Sequence, residues 1–144
     1  MRRQYKKKHV PRGRKSDLKF NRAYRCDCGV IYIKKPTQCR DKNCGSIKFT
    51  KFDSYGEACR YASLLLLESV GKISDLRRQT RIKLHTVNQD GMKVKVGEYW
   101  PDFEYIQDGE RVVEDFKSIM LDLAAWKLRH VKAEYGIDVK LTTE

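Results

Sequence analysis

Four cysteines in two close pairs constrain the fold of this chain more than any other feature. The pairs are Cys26-Asp-Cys28-Gly29 and Cys39-Arg-Asp-Lys-Asn-Cys44-Gly45, with ten residues between them. So short a segment cannot build an apolar core, and without a secretion signal such pairs favour a metal over disulfides. Four thiolates satisfy tetrahedral Zn²⁺ completely and leave no open position. The sequence therefore predicts a zinc ribbon over residues 26–50, with Cys26, Cys28, Cys39 and Cys44 holding a structural Zn²⁺ ion.

The residues before the ribbon carry most of the net charge of the protein. Residues 1–25 contain eleven Lys or Arg against one acid, which is +10 of the total of +12. Such an arm is either a solubilising tail or a segment that lies along phosphates, and we favour phosphate binding, with nucleic acid as the partner. The candidate DNA contacts in this basic arm are Arg2, Arg3, Lys6, Lys7, Lys8, Arg12, Arg14 and Lys15.

The remainder of the chain, residues 51–144, has the pattern of one mixed α/β domain. Its predicted order of elements is αβββαβ. The predicted elements are a helix from Ser54 to about Val70, strands over 78–87, 99–106 and 111–117, a short strand or extended loop over 93–97, a helix over 118–135 ending at Gly136, and a strand over 137–141. No apolar run approaches the ~20 residues of a membrane span, so we expect a soluble protein.

A strong hairpin signal brings two acids together. A two-residue turn at Asp108-Gly109 places Asp102 directly opposite Asp115, with Lys117 on the same face and Trp100 facing it. Opposed carboxylates repel one another unless a cation lies between them, and Mg²⁺ accepts such oxygens. The spacing leaves two interpretations open: metal-assisted hydrolysis of phosphodiesters, or acids on a solvent face that Lys117 partly neutralises.

These residues also carry a resemblance to a known family. The segments Tyr99-Trp100-Pro101-Asp102-Phe103 and Val113-Glu114-Asp115-Phe116-Lys117 resemble the signature of the PD-(D/E)XK nuclease superfamily, as does Glu57 on the helix before the sheet. The likeness covers essentially all of residues 51–144. It is closest to a compact branch found in phages and bacteria, and it is more distantly similar to phage Holliday junction resolvases. The resemblance implies a restriction-endonuclease-like αβββαβ core.

Residue by residue, the resemblance makes Asp102 and Asp115 ligands of a catalytic Mg²⁺ or Mn²⁺ ion and Lys117 the catalytic lysine. Glu57 would complete the metal site, although it is also the acid of a capping box at Ser54. Gln79 matches a glutamine of the branch and would contact the site or the DNA backbone, or else be a structural polar residue. Because some members of the superfamily have lost catalysis, a scaffold role stays open.

We therefore expect a metal-dependent endodeoxyribonuclease that prefers Holliday junctions or other branched DNA, acts in recombination, and works as a homodimer. Its expected location is the cytoplasm of a bacterium or a phage-infected host cell. The alternative is a non-catalytic zinc-ribbon protein that binds nucleic acid on a nuclease-like scaffold. His85 and His130 have no partner at ligand spacing, so we expect them to be incidental or to contact phosphate, and we expect Trp126 in the core.

Overall fold

The described part of the chain has a mixed α/β fold with two helices and three small sheets, as predicted. The computed structural model describes residues 22–117 and 121–143, so the candidate DNA contacts from Arg2 to Lys15 lie outside the described residues. The elements are β1 (Ala23–Cys26), β2 (Ile31–Tyr32), β3 (Phe49–Phe52), α1 (Tyr55–Ser69), β4 (Ser74–Arg78), β5 (Ile82–Val87), β6 (Lys93–Tyr99), β7 (Phe103–Gln107), β8 (Glu110–Phe116), α2 (Asp122–Tyr135) and β9 (Lys140–Thr142). None of these helices is long and apolar enough to cross a membrane.

The largest sheet has four strands in the order β4-β7-β8-β9. β4, β7 and β8 are antiparallel, whereas β9 lies parallel to β8. A parallel pair needs a crossover connection, and α2 lies within that connection. β5 and β6 pair only with each other and form a hairpin outside this sheet. If that hairpin is set aside, the order from α1 onward is helix, three strands, helix, strand.

Both helices end where the sequence predicts. Ser54 is the N-cap of α1, and its Oγ accepts a hydrogen bond from the Glu57 backbone N–H at 3.0 Å. The helix ends before Gly71, whose φ of +70° is left-handed, and Gly136 at φ +68° ends α2 in the same way. Within the described residues α2 begins at Asp122, after an extended Leu121.

Two predicted strands are each divided in the structure. The segment 78–87 is interrupted at Gln79, whose φ of +47° is incompatible with a strand, so Arg78 ends β4 and Ile82 begins β5. The segment 99–106 is interrupted at Pro101, which has no N–H for a ladder, and Tyr99 pairs with Ile82 instead of continuing into β7. The last strand begins three residues later than predicted, at Lys140.

The four-stranded sheet separates two cores. One face packs against α1 through Leu64, Ile73, Phe103 and Tyr105. The opposite face carries Val113, which packs with Val131 of α2 and with the β5–β6 hairpin. Because side chains alternate along a strand, consecutive residues of β8 enter different cores. Glu114 therefore faces α1, and Asp115 faces the side of α2.

The cysteine-rich segment forms the three-stranded sheet β2-β1-β3. Ala23 of β1 and Phe52 of β3 are buried together with Ala58 of α1, so this sheet packs directly on the helix. The boundaries predicted at residues 25/26 and 50/51 consequently fall inside β1 and β3. Residues on both sides of the two predicted boundaries therefore belong to this sheet.

Candidate functional site

The four predicted zinc ligands come together in the structure. The sulfur atoms of Cys26, Cys28, Cys39 and Cys44 all lie within 4.8 Å of one another. The Sγ atoms of Cys26 and Cys44 are 3.4 Å apart, and those of Cys28 and Cys39 are 3.5 Å apart. Four sulfurs at this separation can surround one tetrahedral metal ion, which is consistent with structural zinc.

One local contact favours a thiolate at Cys39. The Tyr32 hydroxyl lies 3.2 Å from the Cys39 sulfur, and this hydrogen bond lowers the pKa of Cys39 to about 7. Both cysteine pairs are followed by a glycine in the left-handed region, Gly29 at φ +102° and Gly45 at φ +59°. The chain can therefore turn tightly after each pair, as the sequence predicts.

The β7–β8 hairpin has the predicted register. Phe103 pairs with Glu114 and Gln107 pairs with Glu110, which leaves Asp108 and Gly109 as the turn. Both turn residues have positive φ, 53° and 82°, as a two-residue hairpin turn requires. Asp102 immediately precedes β7, so this register brings it opposite Asp115.

Asp115 is fully buried and only partly satisfied. Its Oδ2 atom accepts a hydrogen bond from the Tyr99 hydroxyl at 2.8 Å and lies 3.1 Å from the Lys117 ammonium. Its Oδ1 atom is buried with no hydrogen-bond partner among the described residues. Burial, followed by the charge of Asp115, raises the pKa of Tyr99, so this phenol stays a donor. The free carboxylate oxygen can accept a cation.

Asp102 lies in an environment that opposes its ionisation. Its Oδ2 accepts a hydrogen bond from the Phe116 backbone N–H at 2.7 Å. Burial and then the neighbouring Asp115 raise the pKa of Asp102 to about 8. Two carboxylates in one buried site share a single negative charge near neutral pH unless a cation compensates the second.

Glu57 is buried near this pair but is held separately. Its Oε2 accepts the Asp53 backbone N–H at 3.0 Å, and Arg78 lies 3.6 Å from its Oε1. Burial raises the pKa of Glu57. Among the described residues, only the four cysteines bring three or more potential metal ligands within 4.8 Å of one another. Glu57 does not join Asp102 and Asp115 at such short range.

Gln79 lies beside the site through its backbone. Its N–H donates to the carbonyl oxygen of Asp102 at 3.1 Å, and its side chain is exposed. This contact fixes the backbone of the Asp102 segment. The left-handed conformation of Gln79 therefore accompanies the hydrogen bond that joins the end of β4 to the residue before β7.

The buried ion pair of Glu114 was missed by the sequence analysis. Glu114 accepts two hydrogen bonds from Arg60, at 2.5 and 2.8 Å, and one from the Tyr105 hydroxyl at 2.8 Å. Burial opposes its ionisation, but the bonds from Arg60 and Tyr105 lower the pKa of Glu114 to about 2. No sequence pattern near Glu114 predicts its contact with Arg60, which precedes it by 54 residues.

His85 and His130 have structural partners in the fold, and the expectation that Trp126 lies in the core was wrong. His85 Nδ1 lies 2.8 Å from Glu134, and His130 Nε2 lies 2.7 Å from the carbonyl oxygen of His85. These contacts tie β5 to α2, so both histidines have structural partners. The four-residue spacing of His130 and Glu134 on one helix was the available signal. Trp126 is 41% exposed and does not lie in the core.

Comparison with known proteins gives one match. No curated protein and no solved structure matches the chain. A family model described as "Protein of unknown function (DUF1064)" matches residues 41–143, well over half of the sequence. The match begins inside the cysteine-rich segment and includes Asp102, Asp115 and Lys117. The chain therefore belongs to the DUF1064 family.

Proposed function

We propose that this protein is a Mg²⁺-dependent endodeoxyribonuclease that hydrolyses DNA phosphodiesters at Asp102, Asp115 and Lys117. One observation carries the proposal. The buried carboxylate of Asp115 faces the half-buried carboxylate of Asp102 across a hairpin, one oxygen of Asp115 has no hydrogen-bond partner among the described residues, and Lys117 lies beside it. This arrangement is costly for the folded protein unless a cation joins it.

The side chains suit a hard divalent cation. Carboxylate oxygens are the ligands that Mg²⁺ prefers, and Asp102 and Asp115 would supply them. When bound, such an ion neutralises charge on the phosphate and lowers the pKa of a coordinated water. The raised pKa of Asp102, about 8, supports the proposal because a bound cation would favour the ionised carboxylate.

The surrounding residues fix the two ligands in place. Tyr99 holds one oxygen of Asp115, and the Phe116 N–H holds one oxygen of Asp102. The Lys117 side chain is 34% exposed, so its ammonium contacts Asp115 and remains accessible to a phosphate from solvent. We assign it to stabilising charge on the phosphate and holding the attacking water. Glu57 would orient that water.

DNA as the substrate is supported by charge and by topology. The basic arm supplies affinity for phosphates. The order helix, three strands, helix, strand around the four-stranded sheet agrees with the restriction-endonuclease-like core that the resemblance implies. A preference for branched DNA and a homodimer with two active sites extend this proposal, since two symmetric nicks need two sites.

Cleavage assays test the proposal directly. Labelled linear duplex, single-stranded DNA and a four-way junction are incubated with zinc-loaded protein in the presence or absence of Mg²⁺. Mg²⁺ is omitted rather than chelated, because a chelator also removes structural zinc. We expect cleavage only with Mg²⁺ and a loss of at least about 100-fold in Asp115→Asn. A junction and a duplex compared at about 150 mM salt test the preference for branches.

The matched control is Glu104→Gln, which neutralises an acid on β7 that forms a surface ion pair with Arg111. This variant should keep the activity. Cleavage that persists undiminished in Asp115→Asn would refute the assignment of the site. DNA binding with no cleavage of any substrate would favour the non-catalytic zinc-ribbon protein.

A further inference from the structure

A cavity opens beside the candidate active site. It has a volume of about 270 Å³ and is lined by Tyr99, Trp100, Lys117, Leu121, Leu123 and Lys127, together with Ala124. We infer that this cavity binds one unpaired nucleobase next to the phosphate that is cleaved. The inference rests on the proposed function and specifies which DNA the site accepts.

The apolar walls suit a flat ring. Trp100 is 51% exposed, and Leu121 and Leu123 are 67% and 66% exposed, although these are large apolar side chains. Exposed apolar surface gathered around a cavity is typical of a binding site. An exposed aromatic face stacks on any nucleobase, because every base presents a π-face. The volume lies below the range of drug-sized ligands and suits a single planar ring system.

The charges of the cavity select a nucleotide over an apolar protein segment. Lys117 and Lys127 are among its lining residues, and none of the described residues that line it is acidic. A nucleotide combines an apolar base with an anionic phosphate and so matches both features. A second copy of this chain docked at this cavity would bring its own Lys117 and Lys127 against these two lysines, which opposes docking here.

The cavity shares residues with the candidate site. Tyr99 and Lys117 both line the cavity and both contact the same Asp115 oxygen, at 2.8 and 3.1 Å. A base on Trp100 would therefore belong to a nucleotide beside the carboxylates. Bases in a continuous duplex are stacked and paired, so only single strands, flaps and branch points offer one without first breaking a pair.

Fluorescence titration tests this inference without cleavage. The chain has two tryptophans, so Trp126→Phe leaves Trp100 as the reporter. Zinc-loaded Trp126→Phe protein, without Mg²⁺, is titrated with oligothymidylate and with an abasic oligonucleotide of equal length and charge. We expect oligothymidylate to quench the fluorescence of Trp100 and to bind at least about tenfold more tightly than the abasic strand. The abasic strand should not quench it. In the unsubstituted background, Trp100→Ala should bind both strands equally, and Trp100→Phe should retain part of the preference.

Equal affinity of Trp126→Phe for the two strands would overturn the inference, as would a full preference in Trp100→Ala. Quenching by a blunt duplex as strong as that by oligothymidylate would also contradict it. These outcomes are independent of catalysis. A base preference without Mg²⁺-dependent cleavage would refute the nuclease proposal alone, whereas cleavage without a base preference would refute the base site alone.

Discussion

Two neighbouring acids on β8 illustrate different uses of a buried carboxylate. Glu114 and Asp115 are both fully buried, yet they face opposite sides of the sheet. Glu114 is saturated by Arg60 and Tyr105, and its pKa is about 2. Asp115 has one oxygen without a hydrogen-bond partner among the described residues, and it faces Asp102, whose pKa is about 8. Incomplete satisfaction, rather than burial, marks the candidate site.

The difference has opposite consequences for stability. Removing the charge of Glu114 leaves the guanidinium of Arg60 without its partner, which destabilises the fold. Removing the charge of Asp115 allows Asp102 to ionise in its place, so the metal-free protein should lose little stability. The same chemical change on consecutive residues thus separates a structural ion pair from a site that needs a cation.

The largest expected effect comes from zinc, because the ribbon packs on α1 and α1 carries Arg60. Elemental analysis of protein purified without added metal should find about one zinc per chain. Structural zinc sites contribute about 10–16 kcal/mol of binding free energy, so a strong chelator or Cys39→Ser should unfold at least the ribbon. Circular dichroism and thermal melting measure this loss. Protein that contains no metal, or a Cys39→Ser variant as stable as the original, would contradict the zinc site.

The next effect concerns Glu114. Glu114→Gln should reduce the free energy of unfolding by about 3 kcal/mol, because Arg60 loses its buried partner. Urea denaturation measures the change. Glu104→Gln, which breaks a surface pair with Arg111, should change stability by less than about 1 kcal/mol. Equal losses in the two variants would mean that Glu114 is not a structural anchor.

A pH-dependent effect follows from the pKa of Asp102. Its pKa in the folded protein, about 8, lies above the ordinary value of 3.8, so the folded state binds the proton more tightly. Stability from this group is complete below about pH 4 and is lost as the pH rises to about 8, by at most about 1.4 kcal/mol per pH unit. Thermal melting without Mg²⁺ at several pH values measures the slope. Asp102→Asn should flatten it, and an unchanged slope would contradict the assignment.

The smallest effect compares two tyrosines. Tyr99→Phe and Tyr105→Phe each remove one hydrogen bond to a buried carboxylate, to Asp115 and Glu114 respectively, and each should cost about 1 kcal/mol of stability. Only Tyr99→Phe should also weaken the affinity for Mn²⁺, by about tenfold, since an outer hydrogen bond orients a metal ligand. Equal metal affinities in the two variants would remove this distinction between the faces.

The sequence predicts features that depend on local chemistry. The turn at Asp108-Gly109 sets the hairpin register, and the glycines after the two helices set their ends. The two cysteine pairs predict the cysteine cluster because the ligands of a structural metal site are close together in the sequence. Each of these predictions rests on residues that are close along the chain and on backbone conformations with few alternatives.

The features that the sequence does not predict depend on tertiary contacts. The sequence of β4 is mostly polar and does not alternate between apolar and polar residues. This strand forms because its backbone pairs with β7. Arg60 meets Glu114, and Glu134 meets His85, across separations of 54 and 49 residues. The hairpin register singles out Asp115 in the sequence, whereas the ion pair that satisfies Glu114 depends on a distant partner.

Metal binding tests the central distinction most directly. Mn²⁺ is titrated by calorimetry into zinc-loaded protein at about pH 8.5, above the pKa of Asp102, where most of this carboxyl group is already ionised. We expect saturable binding in the unsubstituted protein and in Tyr105→Phe, whose change lies on the Glu114 side, and loss of that binding in folded Asp115→Asn. Equal Mn²⁺ binding by Asp115→Asn and the unsubstituted protein, or no binding by either, would contradict a cation site between Asp102 and Asp115.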